Sequence, residues 1–183
     1  MGRIHQNWRI LMSVHLIIDG YNIIRQSPEL LAQEAQDLRC GREALLHKLA
    51  AYRRQKKYSI TVVFDGWESG EPTESRDRFQ GILIIYSRRG EKADEVIKRL
   101  ASREKQRSIV VSSDRDILHY AEHQGATTMS AMEFEARLLL AAVGNGPMEE
   151  DDDIPLSQGT NKKGPAHRLP KKLRQREQRT KKV

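Results

Sequence analysis

Five aspartates occupy positions where a folded chain could gather them: Asp19 in "HLIIDGYN", Asp65 in "VVFDG", Asp94 in "GEKADE", and Asp114 with Asp116 in "VVSSDRD". Carboxylates held within a few ångströms repel one another and raise their own pKa values unless a cation sits among them. Mg²⁺ or Mn²⁺ suits such a set, because hard ions take oxygen ligands and bridge carboxylates to substrate phosphates. A pair of these ions stabilises both the attacking and the leaving oxygen of an in-line displacement at phosphorus. The chemistry implied is phosphodiester hydrolysis. Taken singly, Asp19-Gly20 and Asp65-Gly66 are ordinary turn pairs, and Asp94 is equally well explained as a helix N-terminal stabiliser. What favours a site is their joint placement at strand ends.

The elements that would place them read as a repeated βα pattern, with short β-branched runs separated by amphipathic stretches. Strands are expected at Val14–Ile18, Ile60–Phe64, Ile82–Tyr86 (the third) and Ser108–Val111 (the fourth), with a short edge strand at Ala126–Met129. Two helices should fill Pro28 to Lys57, and further helices are expected over Ala93–Glu104, Ile117–Gln124 and Ala131–Val143. Continuously apolar strands alternating with helices imply a mainly parallel sheet covered on both faces, a three-layer α/β/α domain. In such a sheet, ligands bind at the carboxyl ends of the strands, where Asp19, Asp65, Asp114 and Asp116 fall. Asp94 joins them if its helix starts near Ala93. Gly20 is expected to let the chain turn tightly beneath the ion.

Residues 13–147 should form the single folded domain, preceded by an extension over 1–12 and followed by a disordered tail over 148–183, acidic then basic. Residues 161–183 hold ten Lys or Arg against one Glu, so the tail carries +9 of a total formal charge of +7, and the remainder nets −2. Such a segment suits phosphate backbones, although a solvated tail would look the same. Cys40 is the only cysteine, which excludes an internal disulfide and multi-cysteine zinc patterns and fits a reducing, cytoplasmic setting. No apolar run reaches the ~20 residues of a membrane span, so no membrane partner is expected.

Other acid-rich α/β sites fit the letters poorly. Asp19 is followed by Gly20 and Tyr21, which is neither the Asp-x-Asp of haloacid-dehalogenase phosphatases nor the Asp-x-Ser-x-Ser of adhesion sites. Asp114-x-Asp116 matches part of a Toprim pattern, but the glutamate needed after the first strand is missing. No glycine-rich phosphate loop is present.

Taken in order and spacing, "HLIIDGYNII", "VVFDG", "GEKADEVIKRL" and "IVVSSDRDIL" resemble the YacP-like branch of the NYN family, among the PIN-like nucleases. The similarity covers about residues 13–143. It implies a PIN-like fold and a metal-dependent endoribonuclease acting on single-stranded RNA, with Mg²⁺ or Mn²⁺ as cofactor. The family includes a ribosome-associated enzyme that cuts messenger RNA, so mRNA and the ribosome are the expected partners. The resemblance makes Asp19, Asp94 and Asp114 the core metal set, Asp116 a further acid binding through water, and Asp65 a supporting neighbour. Asn22 would orient Asp19 or touch the substrate, and a simple cap or turn hydrogen bond accounts for it equally well. Ser112 or Ser113 would hydrogen-bond metal-held water, or only the backbone.

Lys92 stands where the family often has threonine, and with Arg88 and Arg89 it makes a basic loop fit for RNA or merely solvated. Trp67 would stack an unpaired base or pack in the fold. In the tail, Lys171, Lys172, Arg174 and Arg176 are the expected RNA contacts. The rival readings are a non-catalytic RNA- or ribosome-binding protein on the same scaffold and a small-molecule phosphatase, which would leave the tail without a purpose.

Overall fold

A computed structural model describes residues 14–56, 58–66, 72–143 and Thr180. A six-stranded sheet runs through its centre in the order β3-β4-β2-β1-β5-β6. The strands are β1 (His15–Asp19), β2 (Ser59–Phe64), β3 (Ser75–Phe79), β4 (Ile82–Tyr86), β5 (Ser108–Val111) and β6 (Thr127–Met129). The helices are α1 (Gly20–Gln26), α2 (Pro28–Glu34), α3 (Leu38–Lys56), α4 (Ala93–Glu104), α5 (Arg115–His123) and α6 (Ala131–Val143). All pairings are parallel except β3 with β4. Among the described residues no helix is long and apolar enough to cross a membrane.

The apolar runs bury both sides of the sheet, and successive residues go to opposite layers. Leu16, Ile18, Val62, Phe64 and Val111 pack into the layer of α1, α2, α3 and α6, while Ile17, Val63, Ile85 and Val110 pack beneath α4 and α5. α4 follows its amphipathic spacing, burying Ala93, Val96, Ile97 and Ala101.

Two elements depart from the sequence expectation. β3 precedes Ile82–Tyr86, which is therefore the fourth strand, and Ser108–Val111 is the fifth. Its letters, SRDRF, are mostly exposed because it is an edge strand. A two-residue turn joins it to β4, with Gln80 (φ 46°) and Gly81 (φ 82°) both left-handed, the backbone of the tight hairpin turn that matches strand twist. The second departure is α1: Asp19-Gly20 does not make a tight turn but starts a helix, so the first crossover holds three helices rather than two. Gly20 lacks a positive φ; a Cβ there would lie 2.2 Å from the Phe64 ring, so the glycine allows helix and strand to approach.

The connection through α1–α3 carries the chain from β1 to β2 on one side, whereas α4 returns it across β2 and β1 to β5 on the other. β1 and β5 therefore flank the point where strand order reverses, the usual ligand crevice of an open α/β sheet.

Candidate active site

Asp19 ends β1 and caps α1. Its Oδ1 accepts from the Asn22 backbone N–H at 3.2 Å, and its Oδ2 accepts from the Asn22 side-chain amide and from the Ser112 hydroxyl at 3.3 Å. The residue is only 5% exposed. Burial pushes its carboxyl above the ordinary value, the hydrogen bonds from Asn22 and Ser112 oppose that rise, and the charge of Asp94 adds to it.

Across the reversal point, Asp114 caps α5, its Oδ1 accepting from the backbone N–H groups of Asp116 at 2.7 Å and Ile117 at 3.4 Å. The fully buried Ser112 joins the two acids: its hydroxyl donates to Asp19 and accepts from the Asp114 N–H at 3.1 Å. Asp65, just past β2, accepts from the Ala93 N–H at 2.7 Å and so holds the start of α4, which places Asp94 in that helix's first turn. Gly66 follows because its N–H binds Ser87 Oγ at 3.0 Å and no Cβ fits there.

Asp94 also lies above its ordinary value, first through burial and then through Asp114 and Asp65, with Lys98 and Lys92 opposing. Burial and like charges thus outweigh the favourable helix N-terminus. An acid whose folded pKa is raised gives stability that is full below the unfolded value of 3.8 and is lost as pH rises through the folded value. Without divalent cations, Asp94→Asn should therefore melt higher than the parent at neutral pH, with the difference vanishing below pH 3.8; melting curves in EDTA across that range check the sign.

These acids open onto one cleft of about 590 Å³, which Asp19, Asp65, Asp94 and Asp114 all line. Asn22, Ser113 and Lys92 line it too, as do Tyr21 and Arg25, which the sequence reading did not single out. Tyr21 is fixed edge-on to Phe64 at 5.3 Å, its hydroxyl oxygen accepts from Arg42 at 3.0 Å, and the Arg25 guanidinium lies 5.7 Å from its ring centre. The signal was present in "DGYNIIR": once residues 20–26 are helical, positions 21 and 25 share a face.

The remaining described candidates, Lys92 apart, stand outside the cleft. Asp116 is exposed and does not line the cleft; its backbone N–H is what engages Asp114. Arg88, Arg89 and Lys92 are exposed on the adjoining loop, where Arg88 pairs with Glu91 at 3.4 Å. Trp67, the extension over 1–12 and the tail residues Lys171, Lys172, Arg174 and Arg176 lie outside the described residues. Among the described residues, no three His, Cys, Asp or Glu side chains are drawn together tightly enough to hold a metal ion as they stand. The cleft acids are all oxygen donors, and the neighbouring carboxylates push up Asp19 and Asp94, which fits a hard cation that keeps waters between itself and some ligands.

A family model for the YacP-like NYN domain matches residues 16–181, past α6 and through most of the basic tail. An uncharacterized protein YacP of Bacillus subtilis (strain 168) is 31% identical over 86 residues, covering 47% of this chain and 50% of that protein, so the alignment spans half of the relative's length. A crystal structure of a mutant of Rae1 (YacP) from Bacillus subtilis superposes with a TM-score of 0.61 at 26% identity, over 71% of this chain and 77% of that one. A second Rae1 (YacP) crystal structure gives 0.55 at 26% identity, over 72% and 76%.

Proposed function

Because the chain belongs to the YacP-like NYN domain family, we propose that it is a metal-dependent endoribonuclease that hydrolyses phosphodiester bonds in single-stranded RNA, with mRNA on the ribosome as its cellular substrate. The observation that carries this reading is the convergence of Asp19 at the end of β1 with Asp65, Asp94 and Asp114, which follow β2, β4 and β5, on one cleft at the reversal of strand order. Mg²⁺ or Mn²⁺, held by Asp19, Asp94 and Asp114, would supply neutralisation of the phosphate charge and acidification of the attacking water.

The chain's own groups do the positioning. Asn22 grips both oxygens of Asp19 and fixes its plane. Ser112 ties Asp19 to the Asp114 backbone, so the two acids share one orientation. Asp65 acts through the Ala93 N–H, holding α4 and with it Asp94. Arg25 and Lys92 supply positive charge at the cleft wall for the phosphates flanking the cut. Tyr21 offers an aromatic surface there, and only a base released from pairing can lie on it, which supports a preference for single strands.

Two measurements test this reading. With Mg²⁺, a labelled single-stranded RNA should be cut while the same sequence in a duplex is spared; equal cutting of both would contradict the substrate assignment. Arg25→Ala should raise KM about 3–10-fold with kcat nearly unchanged, since one phosphate contact contributes ground-state binding, and should lower the salt slope by about 0.7 on a single strand.

A further inference from the structure

At the pole opposite the cleft, the parallel strands begin. His15, Ser59 and Ser108 are aligned in register there. β1 runs from His15 at this pole to Asp19, a separation of about 13 Å at the usual strand rise. Two elements arrive at the strand starts carrying cations: α3 ends in Arg53, Arg54 and Lys56, and α4 ends with Arg103 and continues into a 3-10 turn bearing Lys105 and Arg107. Arg54 and Lys56 are exposed, as are Arg103, Lys105 and Arg107. Arg53 and Arg54 reach the β3–β4 turn, donating to the Gln80 carbonyl at 3.3 Å and to Gln80 Oε1 at 3.2 Å. The charges at the end of α4 reach the floor of the sheet: His15 lies below its ordinary value through burial first, with Glu104 opposing and Arg107 and Arg103 adding to the fall.

Glu104 accepts from Arg107 at 2.8 Å and lies 4.0 Å from Arg103, and Glu122 of α5 accepts from the Thr128 hydroxyl at 2.6 Å. Lys105 sits at φ 49° and ψ −124°, a backbone region in which glycine would be less strained, yet the position carries a cation. The ends of α3 and α6 meet here as well, with Gln55 donating to the Ala141 carbonyl at 2.9 Å. On α6, Arg137, whose charge is felt by Tyr58 just before β2, also donates to the carbonyl of Thr180. Thr180 lies within the +9 segment 161–183, with Arg179 and Lys181 as its neighbours in sequence.

We propose that this pole is a second RNA-binding surface, made of Arg54, Lys56, Arg103, Lys105 and Arg107, which grips the phosphate backbone of a folded RNA while the acidic cleft faces the other way. Guanidinium groups match phosphate oxygens in pairs, and the charges come from two elements spread across β2, β1 and β5 rather than from one mobile loop. A lipid headgroup shares the phosphate chemistry, but membrane-surface segments set apolar anchors among their cations. Among the described residues the large exposed apolar side chains are Met132, Leu139, Leu140 and Val143 of α6, Leu31 of α2 and Tyr120 of α5, so none lies on the segments that carry these cations. The surface goes beyond the cleft reading and needs no cutting by the cleft.

The test uses the full chain in EDTA, so that binding is read without turnover. A labelled RNA hairpin is titrated at several salt concentrations against the parent, the triple variant Arg54→Gln/Lys56→Gln/Lys105→Gln, and the milder Lys56→Gln/Lys105→Gln, all checked for parental melting. The triple variant should bind at least about tenfold more weakly, with a salt slope lower by roughly 2–3, since each lost duplex contact removes about 0.9. The double variant should show a proportionate part of that change. With Mg²⁺, cutting of a short unstructured RNA should stay at the parental rate, which separates this surface from the cleft. Unchanged hairpin affinity and slope would overturn the proposal, as would variants that lose binding to phosphatidylserine vesicles but keep hairpin binding. A parallel loss of short-RNA cutting would overturn the separateness of the surface.

Discussion

Asp19→Asn is expected to fold and to melt close to the parent while cutting RNA on the order of 10²–10³-fold more slowly, because a catalytic metal supplies several kcal/mol and each ~1.36 kcal/mol is tenfold in rate. The substitution keeps the capping geometry. With the new side-chain oxygen in the Oδ1 position it still accepts from the Asn22 backbone N–H, and its amide then faces groups that can reverse their roles. The Asn22 amide flips to present its oxygen, and the Ser112 hydroxyl turns to accept. What disappears is the negative charge, which burial already made costly in the folded state. Added Mg²⁺ should raise the parent's melting temperature and leave the variant's almost unmoved. A melting transition lost altogether would show that the carboxylate serves the fold rather than the chemistry.

Gly66→Ala should be the most destabilising of the single substitutions considered, by roughly 3 kcal/mol or more, at the upper end of what overpacking costs. A Cβ at this position would lie 1.8 Å from the Ser87 carbonyl oxygen, and backbone cannot swing aside as a side chain does. The displacement would break the Gly66 N–H bond to Ser87 Oγ and strain the Ser87 N–H bond to the Phe64 carbonyl. Asp65, one residue away, would then lose its grip on the Ala93 N–H, so activity should fall even in the fraction that folds. Gly90→Ala is the comparison: nothing lies within 4 Å of its Cβ, and its penalty comes only from a φ of +81°, about 1–2 kcal/mol. Urea unfolding of the three proteins orders them; equal midpoints for Gly66→Ala and the parent would refute the packing account.

The parallel part of the sheet was legible because burial on both faces writes itself as unbroken apolar letters. β5 and α4 fall on the residues expected, and the other parallel strands lie within a residue of theirs. β3 was hidden because an edge strand paired on one side needs no apolar pattern, and its turn carries Gln80-Gly81 in place of the commoner asparagine. α1 was hidden because Asp-Gly signals both a turn and a helix start; the difference lies in the three donors that reach Asp19, two from Asn22 and one from Ser112, ninety-three residues away. The same omission concealed Tyr21 and Arg25, whose common face exists only once α1 does. The acids could be anticipated because strand order alone sends them to one edge. Asp116 shows the limit of that logic: two residues beyond Asp114, the helix has turned its side chain out of the cleft.

The most direct test of the central claim is the Mn²⁺- or Mg²⁺-dependent cutting of labelled mRNA, free and on ribosomes, by the parent, Asp94→Asn and Asp114→Asn. The parent should cut, EDTA should abolish the cutting, and both variants should lose it by about 10²-fold or more while keeping RNA affinity, the loss expected when metal stabilisation of the transition state is removed. Cutting that survives EDTA, or that both variants retain at the parental rate, would contradict the claim.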